Sequence, residues 1–115
     1  MKRLYSLPAV MVILLLFTAC NGGHSPGSEV VHKPATHTVE ITQMQFRPAA
    51  LYIQSGDTVL FMNHDMVDHD ITEQNNKSWH SSKLSSGQSW KMCFETSSDY
   101  YCSIHEVMKG KVVVR

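Results

Sequence analysis

Cys102, His105 and Met108 stand three residues apart in Tyr101-Cys102-Ser103-Ile104-His105-Glu106-Val107-Met108, just ahead of the run Lys109-Gly110-Lys111-Val112-Val113-Val114. A spacing of three throws successive side chains onto opposite faces of a period-two strand, so a straight strand cannot gather them. A tight loop between two strands can, and thiolate, imidazole and thioether then converge on one point. A fourth candidate, His69, lies 33 residues upstream of Cys102, at the end of a polar segment that follows a strand pattern. Two imidazoles, one thiolate and a weak axial thioether are the donor set of a blue-copper electron-transfer site.

The rest of the chain supplies short strands for such a loop to hang from. Val39, Ile41 and then Phe46 suggest a first strand bent near residues 43–45 and ended by Arg47-Pro48. Leu51 and Ile53 alternate with Tyr52 and Gln54. Ser55-Gly56-Asp57 reads as a turn, and residues 58–62 as the next strand, with Val59 and Phe61 on one face. Ile71 and Thr72 resume a strand after the polar stretch. Trp90, Met92 and Phe94 alternate with Lys91, Cys93 and Glu95. Residues 96–99 read as a turn, residues 100–102 as the end of a strand, and residues 112–114 as the last strand. No helical period is convincing, although residues 102–109 could take one helical turn. Seven or eight short strands predict an all-β, antiparallel sandwich.

The N-terminus has a different character. Lys2 and Arg3 precede an eleven-residue apolar run at residues 7–17, too short to span a bilayer of about 30 Å. Thr18 and Ala19 then lead to Cys20, and residues 16–20 resemble a bacterial lipobox, with Phe17 where leucine is usual. The expected organisation is a lipoprotein signal peptide at 1–19, a lipidated Cys20 opening a flexible Gly/Ser/Pro tether at 20–36, and a folded domain at 37–115. His24, His32 and His37, in or beside the tether, read as surface groups. Without residues 1–19 the chain keeps eight Lys/Arg against ten Asp/Glu and no basic run, which excludes a nucleic-acid footprint. Export would permit a disulfide between Cys93 and Cys102, but a thiolate committed to metal cannot also be bridged. Strand parity sets Cys93 opposite Trp90, Met92 and Phe94, at the surface or under a loop.

These motifs together resemble the plastocyanin/azurin-like cupredoxins over about residues 39–115. Gly56-Asp57-Thr58-Val59, Phe61 and Asn63, with the six-residue step to His69, match that family's strand and first-ligand loop. Tyr100, Cys102, His105, Met108, Gly110, Val112 and Val114 match its C-terminal signature. The short Cys-x-x-His-x-x-Met loop is similar to the amicyanin type. Thr96 and Ser98 stand where the family often has Gly and Tyr, and Asp70 stands where Asn is common.

The resemblance implies a Greek-key β-sandwich holding one copper ion per chain. His69, Cys102 and His105 would be equatorial ligands and Met108 the axial one. The Asp70 backbone N–H would donate to the Cys102 sulfur. His105 would be the electron port, ringed by Met66, Val67, Val107 and Met44. The implied function is type 1 copper electron transfer, cycling Cu(I)/Cu(II) with redox partners such as a cytochrome c, an oxidase or a reductase. The expected protein is a monomer and not an enzyme, facing the periplasm of a bacterial envelope and lipid-anchored to the inner or outer membrane through Cys20. The alternative is a copper delivery or storage lipoprotein using the same ligands. A catalytic or red-copper variant using Glu106 or Asp70, and a domain that has lost its metal, are further readings. His64 and His80 read as surface groups.

Overall fold

The computed structural model describes Gly27 and residues 30–115. The expected signal peptide at 1–19, Cys20 and His24 lie outside these described residues. Eight strands follow in order: β1 (Thr36–Thr42), β2 (Gln45–Arg47), β3 (Ala50–Ile53), β4 (Asp57–Asn63), β5 (Thr72–Glu73), β6 (Ser89–Phe94), β7 (Ser98–Tyr101) and β8 (Lys109–Val114). They form two four-stranded sheets, β2-β1-β4-β6 and β3-β8-β7-β5. No helix occurs among the described residues, and residues 103–107 form bends and turns instead of a helical turn. The all-β sandwich read from the alternating pattern is therefore present, with the larger of the expected strand counts.

The sandwich is mixed, not purely antiparallel. β1 pairs with β4 in parallel and β3 pairs with β8 in parallel. The chain leaves the first sheet after the β1–β2 hairpin, contributes β3 to the second sheet, and crosses back as β4. Those two crossings return it beside β1 running the same way, as Greek-key connections allow. β7 also begins earlier than the turn pattern of residues 96–99 suggested, because Ser98 and Asp99 find partners in Val112 and Lys111.

β4 explains the architecture. Its inward row is Asp57, Val59, Phe61 and Asn63, all buried, while Thr58, Leu60 and Met62 are half-buried. A strand paired on both sides, with β1 and β6, buries its alternate residues against the facing sheet. The apolar middle of the row packs with Val39, Ile41, Phe46, Phe94, Tyr100 and Val112. The Tyr100 ring stands edge-on to Phe46 and Phe61, at centroid distances of 4.9 and 5.2 Å. Such aromatic pairs add roughly 0.5–1.5 kcal/mol beyond simple burial. The polar ends of the row each organise one end of the sandwich.

Gly110 lies opposite Tyr100 in the β7–β8 register. A Cβ there would sit 2.5 Å from the Tyr100 ring carbon Cζ. Gly110→Ala is expected to destabilise the fold by about 1–3 kcal/mol through overpacking, seen as a lower urea midpoint with an unchanged slope.

Two buried carboxylates hold the loops. Glu73 accepts N–H bonds from Asn75 (2.7 Å), Asn76 (2.7 Å) and Ser78 (3.3 Å). The Asn75 N–H, with the Asn76 and Ser78 groups, holds its carboxyl below the usual range against the opposing push of burial. At Asp57 the Ala35 N–H leads, ahead of burial acting the other way and of His32, His37 and Gln54, and the carboxyl is strongly depressed. A depressed carboxyl contributes stability above its unfolded pKa of about 4 and loses it as pH falls toward the folded value. Unfolding midpoints should therefore hold between pH 7 and 5 and drop below pH 4. Asp57→Asn should flatten that drop when denaturant curves are compared at pH 7 and 3.5.

Candidate metal centre

Asn63, at the metal-side end of the β4 row, shapes the first-ligand loop. Its Nδ2 donates to the carbonyls of Val67 (2.9 Å) and Leu84 (3.0 Å), and its Oδ1 accepts from the Asp65 N–H (2.9 Å). A buried amide with these partners fixes the course of residues 63–67. His69 is then held by two backbone bonds with Leu84, N to O at 3.0 Å and O to N at 2.7 Å. Its side chain is fully buried.

The second-ligand loop closes on itself. The Cys102 N–H donates to the Met108 carbonyl (3.1 Å) and the Met108 N–H to the His105 carbonyl (2.9 Å). This brings three donors together: Cys102 Sγ lies 3.7 Å from His69 Nδ1 and 3.8 Å from His105 Nδ1, and the two Nδ1 atoms are 3.2 Å apart. Donors bound to one ion at about 2.0–2.3 Å lie roughly 3–4 Å from one another, so the spacing fits a single first-row metal. His69, Cys102 and His105 form the one group of metal-ligating side chains with this convergence among the described residues. Met108 is buried at the end of the same loop.

Burial divides the roles. His69 and Cys102 are fully enclosed, while His105 is half-buried and so the triad member that reaches the surface. Met44, Met66, Val67, Ile104 and Val107 are exposed, with Met66 at 90% and Val107 at 89%. Ile104 was not anticipated from the sequence. Its place between Cys102 and His105 was the available signal, since a residue between two inward-turned ligands tends to face out.

The groups around the donors orient them. The Asp70 N–H points to Cys102 Sγ at 3.5 Å, as the resemblance implied. The Asp70 carboxylate turns away to Ser103, accepting its N–H at 2.7 Å and its hydroxyl. It pins the ligand loop and is not itself a donor. Asp65, missed by the sequence reading, is the partner of His69: its Oδ2 accepts from His69 Nε2 at 2.8 Å. With the proton on Nε2, the Nδ1 lone pair faces Cys102 and His105. The same carboxylate accepts the N–H groups of Gln43 (2.7 Å) and Met44 (2.9 Å). Burial pushes its carboxyl up, but the Met44, His69 and Gln43 bonds outweigh that and leave it below the usual range.

His64 is exposed, 3.8 Å from Glu40, and the exposed His80 faces the Ser81 carbonyl at 3.0 Å, so neither joins the cluster. Cys93 and Cys102 are both free thiols. Cys93 is exposed, consistent with its strand parity.

An eight-stranded Greek-key sandwich with a His/Cys/His cluster at one end defines a cupredoxin. Residues 34–115 match the copper binding proteins of the plastocyanin/azurin family, and the chain belongs to that family. It is 32% identical over 92 residues to amicyanin-alpha of Methylorubrum extorquens, covering 74% of this chain and 77% of the relative. It is 27% identical over 82 residues to the amicyanin of Paracoccus denitrificans, covering 66% of this chain and only 63% of that protein's length. A reduced mutant of amicyanin superimposes with a TM-score of 0.64 at 26% identity, covering 70% of this chain and 82% of that one. Family and cluster together support a blue-copper electron-transfer role in general terms.

Proposed function

We propose that the chain is a type 1 copper electron carrier, with His69, Cys102 and His105 as equatorial ligands and Met108 as the axial thioether. The observation that carries this reading is the convergence of Cys102 Sγ with the two Nδ1 atoms inside a hydrogen-bonded frame. Copper, when bound, supplies a one-electron couple for which thiolate and thioether favour the reduced ion while imidazole suits both states. The chain's own residues do the rest. Asn63, Asp65 and the Leu84 backbone fix His69, and the loop bonds between Cys102, His105 and Met108 fix the others. A frame already in place needs little rearrangement when an electron arrives or leaves. The half-buried His105, with Met66, Val67, Ile104 and Val107 exposed on the same two loops, gives an apolar surface suited to brief docking.

The redox partners would be proteins such as a cytochrome c, an oxidase or a reductase, met by a monomer in the periplasm. The composition of residues 1–20 supports a signal peptide at 1–19 and a lipid anchor on Cys20, with a tether after it leading to a folded domain that begins ahead of residue 37, since β1 starts at Thr36 and His32 and Ala35 already bond Asp57. The deciding experiment is the visible and EPR spectrum of the Cu(II)-loaded chain. Intense thiolate-to-copper absorption with narrow copper hyperfine splitting is expected. A weak d–d spectrum with broad splitting would move the reading to copper delivery or storage.

A further inference from the structure

Asp57, at the other end of the β4 row, gathers four donors on one buried carboxylate. Oδ1 accepts from His32 Nε2 (2.5 Å) and the Ala35 N–H (2.9 Å); Oδ2 accepts from His37 Nε2 (2.8 Å) and the Gln54 N–H (3.1 Å). The two imidazoles approach different oxygens, and the backbone amides take further lone pairs, so the carboxylate is saturated and the group is not a metal cage. The Thr58 N–H adds a bond to the Ala35 carbonyl at 2.9 Å, and the β1–β4 ladder starts one residue later at Thr36. Fastening begins abruptly: Val31 is 83% exposed, whereas the His32 side chain next to it is 31% exposed.

We propose that His32 and His37 close a clasp on Asp57 that fastens the chain ahead of β1 to the end of the sandwich remote from the metal cluster. β4 rises about 3.3 Å per residue, so Asp57 and Asn63 stand roughly 20 Å apart. Asn63 shapes the His69 loop at one end and Asp57 fixes the point of chain entry at the other. The clasp thus sets the point where the preceding chain leaves the sandwich, at the end away from His105. Opening the clasp would free residues 32–35, adding about 14 Å of reach at 3.3–3.6 Å per residue and loosening that point of exit. Two half-exposed histidines on one carboxylate can be removed without touching the core.

The test is hydrogen–deuterium exchange by mass spectrometry on the full chain, comparing wild type, the double variant His32→Ala/His37→Ala, and Asp57→Asn. The clasp predicts at least tenfold faster exchange in residues 32–37 of the double variant, with the peptides of β4 and β8 unchanged. Asp57→Asn should show the same opening together with some loosening of the turn at residues 54–57. Equal exchange in wild type and the double variant would overturn the proposal. So would protection of residues 32–37 that appears only on adding Zn(II), since the histidines would then serve a metal. A second readout is the distance between Cu(II) in the cluster and a nitroxide on Val30→Cys in a Cys20→Ser/Cys93→Ser background. A narrow distribution in the clasped chain that broadens in the double variant supports the proposal, and equal breadth in both contradicts it.

Discussion

Cys102→Ser is expected to abolish the intense visible absorption of the Cu(II)-loaded chain and widen its copper hyperfine splitting, while leaving the fold intact. The sulfur is the only soft anionic donor in the cluster and lies within 3.8 Å of both imidazole Nδ1 atoms. A thiol supplies the thiolate that binds metal. A serine hydroxyl does not ionise comparably. His69 and His105 would then be left as a two-imidazole site of ordinary colour and weaker affinity. The Asp70 N–H, now aimed at Sγ from 3.5 Å, could still meet the serine oxygen, so folding should be little affected. Absorption, EPR and thermal unfolding on the same two samples check this. A variant with unchanged visible bands would remove Cys102 from the metal site, and one that fails to fold would be replaced by Cys102→Ala for the same readings.

The second loop could be read from the sequence because its information is local. Three donor residues at intervals of three, between strand patterns, leave few ways for the chain to run. His69 was within reach through the step from Asn63. Asp65 was not, since its role depends on the β1–β2 hairpin tip arriving beside it. Gln43 and Met44 both have positive φ there, 52° and 59°, which turns their N–H groups toward one carboxylate. Neither residue type announces that conformation. The Tyr100–Gly110 contact was hidden in the same way: both residues stand in the C-terminal signature, but only the β7–β8 register makes them opposite. His32 and His37 looked like surface groups of a tether because Asp57 looked like part of a turn. Their meeting requires β1 to lie parallel to β4, and an alternating pattern carries no strand direction.

Asp65 therefore carries the other large expectation, and it separates a merely stable loop from a tuned site. Asp65→Ala should weaken metal binding by about 10–100-fold, the usual cost of losing the group that orients a ligating histidine. Without the carboxylate, Nε2 has no fixed acceptor and the proton can move to Nδ1, which removes the lone pair from the cluster. The hairpin amides of Gln43 and Met44 would also lose their acceptor, so some local loosening is expected. Asp65→Asn separates the two effects. Its carbonyl can still accept from one partner, but it has no charge to hold the Nε2–H tautomer and support basicity at Nδ1. If the charge matters, Asn should fall between wild type and Ala in a competition titration against a chelator, and its reduction potential should rise. If Asp65 only staples the loop, Asn should restore affinity and potential together once exchange at residues 43 and 44 is restored. Wild-type affinity in Asp65→Ala would show that the buried Leu84 bridge alone is enough to aim His69.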